Sequence, residues 1–431
     1  MIEDGAAHGI AADAPSVLPV ATDSRPLILA ALDHARALHS GRLKEEDYLS
    51  VWGLRPPAYD PWPAFSQAVA QDRLASWIAS LPPPYTGYDG LRRGLAAYKA
   101  IEAEGGWQQV PAGPNLTIGS TGPRVTALRR RLAVEDAANA GSTSANYDAA
   151  LAEQVRRAQK RYGLEPNGVA NAETIAALNV PVGDRLGQIT ANMERWRWLP
   201  PELPRHRIQV NIAAAVLTVF EADAPVLSMR AVTGRPGDPT PMLSSEIHSI
   251  VINPPWNVPT SIATKELWPK ERKNPGYFAR SGFRVIETPD GGKRLQQKAG
   301  PKSALGRLKF DFENKYSVYL HDTPTQSTFD RYQRLASHGC VRLQRPVELA
   351  NRVLQGDPRW TSEALQAAID AGKTVRAQLP ERVSIFLLYW TAFAGADGQM
   401  NFRADPYGWD AILAKKIKDG ANRAPLTTAQ K

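Results

Sequence analysis

A chain of 431 residues is long enough for two or three domains, each with a sizeable core. The formal charge of +9 fits an anionic partner, but basic residues form no long tract interleaved with aromatics, which argues against nucleic acid. No apolar run approaches the roughly 18–20 residues of a membrane span, and a single cysteine excludes an intramolecular disulfide framework.

Met1 to Val20 has no basic start and no apolar centre, so it does not read as a signal peptide. Residues 1–24 are expected to be disordered. Pro26 to Gly41 reads as a helix, with Asp23 or Ser24 as cap and Leu27, Ala31 and Leu38 on its apolar face. After the stiff Pro82-Pro83-Pro84 connector, Leu91, Leu95, Tyr98 and Ile101 recur at helical spacing until Gly105-Gly106. A second unit begins near Asn115. Val125, Leu128 and Leu132 share one helical face; Leu151, Val155, Ala158 and Tyr162 share another; Glu173 to Leu178 makes a third, short helix. Gln188 to Trp198 is again helical and can rejoin the first scaffold.

From Arg207 the period changes to two: Ile208, Val210 and Ile212, then Leu217 and Val219, then Val226 to Val232 and Ile247 to Ile252. Lys265 to Leu308 breaks this rhythm with Pro269, Pro275, Asp290-Gly291-Gly292 and Gly300-Pro301. Here Lys265, Lys270, Arg272 and Lys273 cluster, read as a solvated helix face or as part of a basic surface. Strands resume at Tyr316–His321, a helix follows from Pro346 to Leu354, Val383 to Trp390 is a late strand, and a helix around Asp410 to Ile417 closes the chain. The predicted class is α+β and multidomain.

The chemistry gathers at Cys340, in the run Ser337-His338-Gly339-Cys340-Val341-Arg342. Alternate residues of an extended segment share a face, which aligns His338, Cys340 and Arg342, and on the preceding strand Tyr319 and His321. A free thiol has a pKa of about 8.5 and needs activation to act as a nucleophile. The rival readings are a small buried hydrophobe and a zinc site, for which His321, His338 and Cys340 supply no fourth ligand. No cofactor is expected.

The His321 spacing, fifteen residues and then Ser337-His338-Gly339-Cys340, resembles the active-site motif of L,D-transpeptidases with a YkuD-type catalytic domain. Asn253-Pro254-Pro255-Trp256-Asn257-Val258-Pro259, Tyr319-Leu320-His321-Asp322-Thr323-Pro324 and Tyr389-Trp390-Thr391-Ala392 are similar to the large periplasmic YcbB-like subfamily, and residues 115–182 resemble a three-helix peptidoglycan-binding domain. The resemblance implies a helical scaffold at 25–114 and 183–203, that inserted domain at 115–182, and a catalytic domain at 204–379 with a cap at about 263–308. Residues 380–431 would complete the catalytic domain.

It further implies that Cys340 is the nucleophile, His321 its base in a thiolate–imidazolium pair, and the backbone around His338, Gly339 and Cys340 the oxyanion site. Asp322 is a poor partner for His321, since adjacent strand residues face opposite ways; Ser337 is a supporting donor or simply closes the turn. Arg342 binds a substrate carboxylate or makes a structural ion pair. Tyr319 lines the pocket or packs, and Trp256 lies near the substrate channel or in the core. Donor tetrapeptide stems and an acceptor amine are the implied partners, with cell-wall synthesis proteins as further ones and acylation by carbapenems expected. The implied activity is peptidoglycan cross-linking in the periplasm, with release of a terminal D-amino acid. Its alternatives are an L,D-carboxypeptidase, a lipoprotein-anchoring enzyme, and a noncatalytic wall-binding protein; whether the inserted domain binds a ligand stays open.

Overall fold

The computed structural model describes residues 3–10, 25–136, 141–289 and 291–421. The chain forms two compact units, one of residues 1–50, 54–203 and 389–431, the other of 51–53 and 204–388.

The first unit is helical. Helices Arg25–Ser40, Pro61–Ala70 and Leu74–Ser80 pack around Ala35, Leu38, Ala68, Trp77 and Leu81. Three further helices, Pro123–Glu135, Ala149–Arg161 and Ala172–Leu178, form the predicted small domain. Asp148 and Asn171 cap the last two by accepting from the N–H groups of Leu151 and Thr174. Glu135, inside this domain, is buried but satisfied: Arg131 lies at 2.8 Å and Arg161 at 3.2 Å, and the Tyr162 and Tyr98 hydroxyls donate to it. Helix Val182–Trp196 packs against helix Thr86–Ala103, so the chain does return to the scaffold after the small domain.

Two expectations for the ends of the chain need correction. Of the segment expected to be disordered, 11–24 lies outside the described residues, as do Asp23 and Ser24, but Glu3–His8 forms a 3-10 helix. Its His8 is buried against the Tyr88 hydroxyl at 3.0 Å, and its carbonyl accepts from Arg197 at 2.6 Å. At the other end, the strand Val375–Leu388 belongs to the β-rich unit, but from Tyr389 onward the chain belongs to the helical one. The reason is a buried polar knot. Asn192 and Thr391 exchange hydrogen bonds at 2.7 and 3.0 Å, Thr391 donates to Asp410, and Arg195 meets Asp410 at 2.6 Å.

The second unit is built on twelve strands. They are β1 (His206–Asn211), β2 (Val216–Glu221), β3 (Ala224–Gly234), β4 (Leu243–Ile252), β5 (Trp256–Asn257), β6 (Phe283–Glu287), β7 (Lys293–Gln297), β8 (Leu308–Phe312), β9 (Leu320–His321), β10 (Leu335–Ser337), β11 (Val341–Leu343) and β12 (Val375–Leu388). Nine make one sheet in the order β10-β3-β11-β9-β8-β4-β12-β1-β2, and it closes on itself because β3 also pairs with β2. The first half of β3 matches β2, while Ala231 and Val232 match β11 and the last residues match β10. Period-two burial produces this sheet: Leu308, Phe310 and Phe312 point inward from β8, and Val341 and Leu343 from β11.

The remaining strands, in the order β5-β7-β6, form a separate small sheet. With the helical stretch Thr260–Lys273 and the helix Tyr277–Arg280 it surrounds its own core of Val258, Ala263, Leu267, Phe278, Phe283 and Leu295. This subdomain overlaps the segment expected as a cap at about 263–308, and is called the cap below; it begins earlier, at Trp256, because β5 supplies an edge of its sheet.

Candidate active site

Strand register assembles the site. His321 on β9 lies opposite Lys309 on β8 and opposite Arg342 on β11, so one row across three strands reads Lys309, His321, Arg342. Two positions earlier on their chains, Tyr319 and Cys340 form a second row on the same face. The backbone and hydroxyl of Tyr319 both pull the Cys340 thiol down against burial, and Trp256 pulls the Tyr319 hydroxyl down in the same way. Tyr319 and Trp256 therefore both line the cavity, and each also packs: Lys309 lies over the Tyr319 ring at 4.4 Å, and Trp256 meets Phe283.

His321 is oriented by a backbone group. Its Nδ1 donates to the Asp322 carbonyl at 2.5 Å, which leaves Nε2 with its lone pair. The Asp322 carboxylate plays no part in this. It accepts from the N–H groups of Arg307 at 2.8 Å and Thr323 at 2.7 Å.

The turn bearing Cys340 is held by two hydroxyls. Ser337 Oγ donates to the Cys340 carbonyl at 2.5 Å and accepts from the Gly339 N–H at 3.1 Å. Thr240, buried and not foreseen, accepts from the Gly234 N–H and donates to the Gly339 carbonyl, both at 2.8 Å. Gly339 has φ of +108°; a Cβ there would stand 3.5 Å from the nearest atom, so conformation and not space selects glycine. This positive φ interrupts the extended run, so the predicted single row of His338, Cys340 and Arg342 does not form. Instead His338 Nε2 meets Glu266 of the cap at 2.6 Å. The Gly339 N–H is spent on Ser337, which leaves those of His338 and Cys340 as the backbone donors of the turn.

The electrostatics correct a further expectation. Burial pushes the Cys340 thiol up, against the pull of Tyr319, Lys309 and Arg342. Burial also pushes His321 down to about 3, assisted by the positive charges of Arg342 and Lys309 and opposed by the Asp322 carbonyl. At rest the pair is therefore a neutral thiol and a neutral imidazole, not a thiolate and an imidazolium. Arg342, the other strong charge, finds no carboxylate among the described residues, and its buried Nε has no hydrogen-bond partner. No structural ion pair of Arg342 is present among the described residues.

These groups line one cavity of about 650 Å³, with Trp256, Glu266, Lys270, Tyr277 and Arg280 on the cap side and His321, Cys340 and Arg342 on the sheet side. Lys270 is the one member of the predicted basic cluster that reaches it.

Residues 205–360 match the family model of the YkuD L,D-transpeptidase catalytic domain, a span that includes every one of the motif residues above. The β-rich unit is thus similar to YkuD-type L,D-transpeptidase catalytic domains. Ahead of this YkuD domain, residues 121–178 match a domain provisionally described as peptidoglycan-binding, and residues 27–95 match one described as a scaffold domain. A Haemophilus influenzae protein provisionally named an L,D-transpeptidase is 29% identical over 239 residues, covering 52% of this chain and 48% of its own. The chain thus spans about half the length of that curated relative. Among solved structures, an L,D-transpeptidase from Mycobacterium smegmatis is 15% identical, covers 43% of this chain and 58% of its own, and has a TM-score of 0.23. One from Xylanimonas cellulosilytica is 17% identical over 64% of this chain and 99% of its own, with a TM-score of 0.18.

Proposed function

We propose that this protein cross-links peptidoglycan through a thioester on Cys340. The observation that carries the reading is one cavity lined by His321, whose Nδ1 is held by the Asp322 carbonyl, by the Cys340 thiol and by Arg342, whose buried Nε has no hydrogen-bond partner. Because both partners start neutral, proton transfer accompanies attack. Cys340 Sγ adds to the carbonyl preceding the terminal D-residue of a donor stem while its proton passes to His321 Nε2. The backbone N–H groups of His338 and Cys340 face the oxyanion in this reading. The C–N bond then breaks, His321 returns the proton to the departing D-amino acid, and the acyl group stays on sulfur. An acceptor amine next attacks the thioester, forming an amide and breaking the C–S bond, and the thiol regains a proton. Arg342 binds a stem carboxylate by its planar fork, with Tyr319 and Trp256 on the wall beside it.

A peptidoglycan substrate places the working protein outside the cytoplasmic membrane, in the periplasm; no helix among the described residues is long and apolar enough to cross one. The test is incubation with purified muropeptides followed by mass spectrometry. A product weighing two stems less one D-alanine supports cross-linking. Loss of D-alanine alone identifies a carboxypeptidase. Activity retained by Cys340→Ala overturns the nucleophile, and no turnover at all leaves a wall-binding protein.

A further inference from the structure

Glu266 sits 72 positions before His338, yet it makes the closest polar contact of that imidazole, 2.6 Å from Nε2 to Oε1. It projects from Ala263–Leu267, a single π turn inside the cap's helical stretch, and such turns commonly mark functional positions. Arg235 reaches the same carboxylate at 3.4 Å and is itself fixed by Asp238 at 2.7 Å. The loop containing Arg235 and Asp238 leads into Thr240, whose hydroxyl holds the Gly339 carbonyl. One cap carboxylate thus touches His338 directly and reaches Gly339 through Arg235 and its loop. Glu266, His338 and Asp238 all border the cavity that contains Cys340.

We propose that Glu266 is a positioning residue that couples the cap to the nucleophile turn by holding the His338 imidazole. The proposal rests on Cys340 being the reacting group. A seated cap fixes His338, and with it the backbone N–H groups that flank Gly339. A cap lifted away removes this restraint on His338 and leaves the turn with those of Ser337 and Thr240 alone. The carboxylate is ionised for this role: its hydrogen bond with His338, then the charges of His338 and Arg235, hold it below the ordinary carboxylate range.

The experiment follows acylation of Cys340 by a carbapenem, by intact mass, in the full chain. Glu266→Ala is expected to slow the acylation rate constant roughly ten- to hundredfold with little change in the concentration giving half-maximal rate, and Glu266→Asp to recover part of it. In a His338→Ala background the same Glu266→Ala change should cost less than twofold, because its route is already cut. Hydrogen exchange of residues 337–340 should rise in Glu266→Ala. Equal rates for wild type and Glu266→Ala, or full additivity with His338→Ala, overturn the proposal. If the wild type takes no acyl group, the functional reading fails, and the Glu266 role is decided by iodoacetamide alkylation of Cys340: a tenfold change in Glu266→Ala supports it and an unchanged rate overturns it.

Discussion

His321 and Arg342 face each other across the parallel pairing of β9 and β11, a guanidinium set beside the imidazole proposed as base. Burial first, and then the neighbouring Arg342 charge, disfavour protonation of that imidazole.

The pH profile of acylation should show this. His321 has an ordinary pKa of 6.5 and a folded value of about 3, so no acid limb from this group is expected near pH 6.5. Replacing Arg342 with Met removes one opposing charge and should move the limb upward. A limb at pH 6.5 in the wild type would contradict the picture. The same depression links to stability: the unfolded chain binds a proton between pH 6.5 and 3 that the folded chain refuses. Stability should therefore fall as pH drops through this window, which denaturant titrations can follow.

The Tyr319 hydroxyl lowers the thiol's pKa, while burial raises it. Tyr319→Phe deletes a hydrogen bond worth about 1 kcal/mol, so less thiolate forms at a given pH. Alkylation by iodoacetamide at pH 8 should slow several-fold, and the midpoint of its pH curve should move up. Faster alkylation would mean that the hydroxyl merely shields the sulfur.

Gly339→Ala tests conformation apart from space. The added methyl finds room, but φ of +108° costs an alanine about 1–3 kcal/mol. Denaturation midpoints should drop by that amount and acylation should slow as the turn relaxes. Ser337→Ala, which strands the Gly339 N–H, should destabilise by about 1–3 kcal/mol.

In the helical unit, Glu135→Gln leaves Arg131 and Arg161 short of a buried counter-charge. A loss of about 3–5 kcal/mol is expected, read as a lower Tm for that unit in calorimetry. Arg131→Met together with Glu135→Leu should recover much of it, because an apolar replacement of the group leaves less charge uncompensated.

Much of this was readable from residue order, and the reasons are local. Strand alternation and helical spacing are short-range, so β1, β2 and the three helices of the small domain follow from their own residues, and Cys340 with His321 from a fixed spacing. Glu266 was not readable, because its partner lies 72 positions away and only the fold of the cap brings them together. Lys309 enters through strand register, which no single strand encodes. The neutral resting pair depends on burial, which a motif does not report. The short helices Pro61–Ala70 and Leu74–Ser80 carry too few turns for a clear period, and Tyr389 onward departs for the other unit because of contacts with Asn192 and Arg195.

Strand β3 has a consequence for inheritance of change in this protein. Its first half seals the ring of strands against β2, and its last four residues carry β11 and β10, the two flanks of the Cys340 turn. A single-residue insertion or deletion in β3 would therefore turn its own side chains to the opposite face and shift the pairing at the seam and beside Cys340 together. Changes of length in the loops or in the cap would leave this shared register of pleats in place.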